Sequence, residues 1–148
     1  MRSKIGWIVG LCSIPLILLI VMPQSNIDCT GDAMCIKGKI DNIVDGDTLD
    51  VGENRIRLSL TSTPEIDQFG GIEAKEYVEK TCPVGSDVLV DEDDGQIDGS
   101  YGRIIGKVYC QGILLNEKIL ENNHGEISTV FCSQSEFGNE EWATKYGC

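Results

Sequence analysis

A chain of 148 residues has the length of one domain, so separate cofactor and substrate lobes are not expected. Hydrophobic residues make up 41% and charged residues 24%, which excludes a compositionally disordered chain. Acidic residues outnumber Lys plus Arg by 24 to 12, and Arg2 and Lys4 precede every acid, so residues 23–148 are more acidic still and a broad basic face for indiscriminate polyanion binding is disfavoured.

Residues 5–22 carry no charge, and 18 residues of α-helix measure about 27 Å, close to the hydrocarbon thickness of a bilayer. Pro23, Gln24 and Ser25 supply no small-x-small cleavage site, so the expectation is an uncleaved transmembrane anchor rather than a signal peptide. Arg2 and Lys4 lie before the span and Asp28 and Asp32 after it, which predicts a cytoplasmic segment 1–4 and a domain on the outer side of the cell membrane. Residues 23–34 read as a tether and residues 35–148 as the folded domain. Cys12 falls inside the span, leaving Cys29, Cys35, Cys82, Cys110, Cys132 and Cys148. An even number, no CxxC spacing and His124 as the one histidine favour three disulfides over a zinc site, with the connectivity open.

Ile36, Ile40 and Ile43 punctuate a first strand, and Asp45-Gly46 supplies turn chemistry before a second at Thr48–Val51. Residues 55–60 alternate strictly, with Ile56, Leu58 and Leu60 on one face and Arg55, Arg57 and Ser59 on the other. Ala74, Tyr77, Val78, Thr81 and Cys82 recur with helical spacing, and Pro83 and Gly85 end that helix. Residues 88–90 predict a fourth strand, Ile104–Cys110 a fifth, and residues 115–120 a second helix. In the tail, Phe137 and Trp142 belong to a short helix closed by Gly147, too small to bury much by itself and in need of a disulfide staple. The acidic run 91–94 reads as a solvated loop. The predicted fold class is α+β: a five-stranded barrel of the OB type with packed helices.

Three clusters carry chemistry: Asp45-Gly46-Asp47-Thr48; Arg57 followed by Thr63-Pro64-Glu65; and Tyr101-Gly102-Arg103. A phosphodiester is anionic, and its hydrolysis builds further charge on the nonbridging oxygens, which planar guanidinium groups such as Arg57 and Arg103 bind. Glu65, set just past a strand end by Pro64, is the carboxylate to orient or deprotonate the attacking water. Asp47 is a hard oxygen donor of the kind calcium prefers, with the Thr63 carbonyl as a neutral one.

The stretches IVDGDTL, IRLSLTSTPE, SYGRIIGKVYCQG and LLNEKIL, in this order over about residues 36–122, resemble the staphylococcal nuclease (thermonuclease) family. The resemblance implies an endonuclease that cuts DNA or RNA to fragments ending in 3′-phosphates. In it Arg57, Glu65 and Arg103 are catalytic, Tyr101 contacts the nucleotide, and calcium is held by Asp47 and the Thr63 carbonyl. It also implies the pair Cys82–Cys110, with Cys132–Cys148 and Cys29–Cys35 as the local pairs. Two departures stand out. Ser62 occupies the place of a carboxylate that helps hold the calcium, so weak binding is expected, and the lysine-rich loop of the secreted nucleases is replaced by Ile66-Asp67-Gln68-Phe69-Gly70-Gly71. The expected substrate is therefore single strands or fragments of nucleic acid rather than long duplex.

Taken singly, each of these residues has a plainer reading. Arg57 and Arg103 are then solvated residues, Tyr101 a core residue, Asp45-Gly46 a turn, and His124 a loop residue without a role. On that view the domain is a catalytically weak or inactive OB-fold module binding nucleotides, ions or a protein. Ser62 and the acidic charge favour it; the joint presence of Arg57, Glu65 and Arg103 favours the enzyme.

Overall fold

The computed structural model describes residues 27–97, 99 and 101–148. The expected anchor lies outside them, and among the described residues no helix is long and apolar enough to cross a membrane. The strands are β1 (Cys35–Ile43), β2 (Thr48–Val51), β3 (Asn54–Leu58), β4 (Thr61–Ser62), β5 (Asp87–Glu92), β6 (Ile104–Cys110), β7 (Ile113–Leu114) and β8 (Glu126–Ile127). The helices are α1 (Gly71–Thr81), α2 (Leu115–Glu121) and α3 (Glu141–Tyr146).

The main sheet runs β3-β2-β1-β5-β6-β7, and β3 also pairs with β6, which closes five strands into a barrel in an α+β fold. β1 serves both sides of the closure. Its first half, from Cys35 to Lys39, pairs with β5; its second half pairs with β2, with a bulge between Ile40 and Asn42 that bends the strand from one partner to the other. Alternation then directs Ile40, Ile43, Leu49, Val51, Ile56, Leu58, Val90 and Val108 inward, where Val78 and Cys82 of α1 and Leu115 and Ile119 of α2 cap them. Each such aliphatic side chain contributes roughly 1.5–3 kcal/mol on burial. The disulfides are Cys29–Cys35, Cys82–Cys110 and Cys132–Cys148, the pairs that the resemblance implies.

The structure corrects three expectations. The strand over 55–60 stops at Leu58: the Ser59 N–H donates to the Gly106 carbonyl, and Leu60 turns into the left-handed region at φ 59°. Leu60 thereby leaves the barrel interior for a second core formed with Leu120, Phe137, Trp142 and Ala143. The tail is accordingly more than a stapled appendage, because Phe137 is fully buried and Trp142 nearly so.

The third correction concerns the acidic run. Asp91, Glu92 and Asp93 are buried, and their carboxylates accept from backbone N–H groups. Thr30 donates to Asp91, Met34 to Glu92, Gly95 and Glu136 to Asp93, and Asp32 and Ala33 to Asp94. Residues 30–34, the end of the segment read as a tether, are therefore tied to the domain. Lys107, also buried, spans from Asp91 at 3.6 Å to Glu140 at 2.7 Å and joins the barrel to the tail. Burial disfavours its charge, yet the Glu140 hydrogen bond and nearby acids hold its pKa above the ordinary lysine value.

Candidate active site

Parallel pairing of β3 with β6 sets Arg57 opposite Ile105. Arg103 lies two residues before Ile105 and so projects to the same side, which brings the two guanidinium groups of distant sequence segments together. β4 pairs with β8 through Thr61–Ile127 and Ser62–Glu126, and the chain emerging from it carries Glu65 to the same place. Arg57, Glu65 and Arg103 line one cavity of about 310 Å³ whose wall also includes Gln96, Ser128 and Phe131. Nothing in the local sequence around Gln96, Ser128 or Phe131 distinguishes them; only the packing of the turn after β5 and of the segment after β8 against the barrel brings them here.

Arg57 is held in place from behind. Its Nη1 donates to Asp47 Oδ1 at 2.5 Å and its Nη2 to Ser62 Oγ at 3.3 Å. Among the described residues these take two of the five N–H donors of the guanidinium, leaving the others for an anion. Asp47 is 3% exposed. Its Oδ1 also accepts from the Thr48 hydroxyl at 3.0 Å, and its Oδ2 accepts the Thr63 N–H at 2.8 Å. Burial pushes the Asp47 carboxyl above its ordinary pKa, against the lowering pull of the Thr63 N–H and Arg57.

Tyr101 is 97% exposed, with φ 54°, and its ring lies 5.8 Å from the Arg103 guanidinium carbon. It is not a core residue, and it does not line the arginine cavity. Asn116, from the LLNEKIL stretch, is fully buried and accepts from the Val108 N–H while donating to the Ser59 carbonyl. It acts as a clamp between β6 and the turn after β3, the turn that starts the path to Glu65.

The calcium that the resemblance implies is not matched by the donors in this arrangement. Both Asp47 oxygens are engaged, the Ser62 hydroxyl already accepts from Arg57, and a guanidinium cation lies where Asp47 and Ser62 face each other. Among the described residues no group of three or more His, Cys, Asp or Glu side chains converges on a metal position. One carboxylate shared with an arginine and the Thr63 carbonyl give few of the six to eight oxygens that calcium takes, so the protein donors fit at most a weakly held ion.

No family model matches the chain. An uncharacterized protein of Bacillus anthracis is 35% identical to it over 106 residues, covering 65% of this chain and 49% of that protein. The chain thus spans about half the length of the curated relative that it matches.

Proposed function

We propose that the chain is a phosphodiesterase of the staphylococcal nuclease type, built on an OB-type barrel, that hydrolyses single strands or fragments of nucleic acid on the outer side of the membrane to which residues 5–22 anchor it. The observation that carries the reading is the convergence of Arg57, Glu65 and Arg103 on one cavity from three separate segments. Arg57, braced by Asp47 and Ser62, and Arg103 bind the nonbridging oxygens of the phosphate and stabilise the charge that develops there. Glu65 accepts a proton from water as the water oxygen attacks phosphorus. The P–O bond to the 5′-oxygen then breaks, leaving a 3′-phosphate on one fragment. The departing 5′-oxygen takes a proton from solvent water to become a hydroxyl on the other, while Glu65 returns its proton to solvent.

Calcium enters this reading only as a weakly held ion, since the Asp47 charge is shared with Arg57 and Ser62 supplies no carboxylate. No step is assigned to it. A noncatalytic nucleotide-binding module is the second reading, favoured by Ser62 and by the partial neutralisation of Arg57 against Asp47.

The test is a nuclease assay on the full chain with single- and double-stranded DNA and RNA, calcium titrated against chelator, and Glu65→Gln in parallel. The expected result is cleavage of single strands that the variant loses by at least about a hundredfold. Equal rates in parent and variant would remove the mechanism, and binding without cleavage would establish the module.

A further inference from the structure

Glu65 also lines a second, larger cavity, about 770 Å³, formed between residues 62–70 and the turn 123–126. Its character is the reverse of its neighbour's. Glu65, Glu73 and Glu126 contribute carboxylates, and no Lys or Arg is among the described residues that line it. Two rings stand at it, one on each wall. Phe69 is 99% exposed, an apolar side chain that the fold gives no partner among the described residues. The His124 ring is stacked on Tyr77 at 4.4 Å and 28°, and the Tyr77 hydroxyl accepts from Asn122 at 2.8 Å, so this wall is held before any ligand arrives. Close backbone approach fixes both walls. A Cβ on Gly71 would collide with the Glu65 carbonyl oxygen, and one on Gly125 would lie 2.6 Å from the Ser62 carbonyl oxygen.

An exposed Phe69 ring facing a groove that His124 and Asn123 also line suits an unpaired nucleobase, which stacks on aromatic surfaces and hydrogen-bonds through its edges. Three carboxylates suit no further phosphate. Resting on the phosphodiesterase reading of Arg57, Glu65 and Arg103, we propose that this groove is a subsite for one neutral nucleoside flanking the scissile phosphate, with Phe69 as its stacking platform and Glu73 and Glu126 as the groups that reject a continuing strand. The enzyme then acts on short fragments and near strand ends. Duplex is excluded because the seated base must be unpaired.

The test uses the full chain with three probes: thymidine, methyl 4-nitrophenyl phosphate and a set of thymidine oligonucleotides from the dinucleotide upward. Thymidine, which has no phosphate to hydrolyse, should shift the NMR signals of the His124 ring, and Phe69→Ala should weaken that binding about tenfold, within the range of one lost stacking contact. The same variant should lower the ratio of kcat/KM for the dinucleotide to that for methyl 4-nitrophenyl phosphate by about tenfold. Glu73→Gln with Glu126→Gln should flatten the preference for short oligonucleotides. Thymidine binding without hydrolysis of any diester upholds the groove and rejects the phosphodiesterase. Hydrolysis with no His124 shift, or with a length preference unchanged in the double variant, upholds the phosphodiesterase and overturns the groove.

Discussion

The two cavities that meet at Glu65 share that one residue and carry opposite charge. On one side Arg57 and Arg103 concentrate positive charge inside an acidic domain; on the other Glu73 and Glu126 extend the domain's overall sign. An anion drawn to the first is repelled by the second, so on the proposed reading the boundary between them sets where a phosphate sits and where a chain of phosphates stops. A net charge of −12 therefore does not argue against an anionic substrate as such, but against a long one.

The largest effects should follow from breaking the cationic side. Arg57→Ala removes the proposed phosphate ligand and leaves the buried Asp47 carboxylate without its ion pair, so it should cost both turnover and stability. The stability loss is expected near the lower end of about 3–5 kcal/mol, because the Arg57 side chain is 23% exposed. Adding Asp47→Asn should restore the melting temperature without restoring activity, which separates support from catalysis. Arg103→Ala and Glu65→Gln should reduce turnover by ~10² or more while leaving thermal unfolding nearly unchanged. A matching loss of stability in either would assign these residues to the fold instead.

The stapled tail, which shares a second core with Leu60 of the arginine cavity, can be loosened next. Replacing both Cys132 and Cys148 with Ser should destabilise the protein by roughly 3 kcal/mol, read from denaturant unfolding followed by Trp142 fluorescence. Asp93 binds the tail by charge. Burial pushes its pKa up, but hydrogen bonds from Ser135, Ser59, Gln96 and the Glu136 N–H outweigh this and hold it below the ordinary carboxylate value. A depressed folded pKa means stability that is present above the unfolded value of about 3.9 and lost as pH falls through the folded one. Asp93→Asn should therefore cost about 1–3 kcal/mol near neutrality, and the gap between parent and variant should close below about pH 4.

The smallest effect sharpens the comparison at its hinge. Ser62→Asp adds a carboxylate beside Asp47 and gives Arg57 a second anionic partner. Calorimetry should show calcium binding tighter than in the parent, whose affinity is expected no better than the ~10⁻³ M of weak extracellular sites. Unchanged calcium binding in this variant would mean that residue 62 does not face the ion.

Much of the barrel was legible because its information is local. The two-residue period of residues 55–60, the turn chemistry at Asp45-Gly46 and the helical spacing from Ala74 to Cys82 each reflect the geometry of one element, and each element appears, the strand ending at Leu58 and the helix running from Gly71 to Thr81. The candidate site was visible as residue types, since Arg57, Glu65 and Arg103 stand out by motif before any fold is known, and the structure brings them to one cavity.

What remained was decided by contacts between distant segments. Leu60 continues the alternation of its strand on paper, yet it turns outward, because Ser59 finds Gly106 and the tail offers a second apolar surface. Residues 91–94 read as solvated from their charge alone, yet Asp91, Glu92 and Asp93 are buried, with backbone N–H groups from residues 30–34, 95 and 136 arriving to satisfy the run. His124 has no partner in its own run of sequence, and acquires Tyr77, 47 positions away, only when α1 and α2 pack. Periodicity and turn chemistry act over a few residues, so the sequence by itself determined the elements and their inward faces. Burial of charge and the meeting of the two cavities at Glu65 depend on long-range closure, and these only the tertiary structure decided.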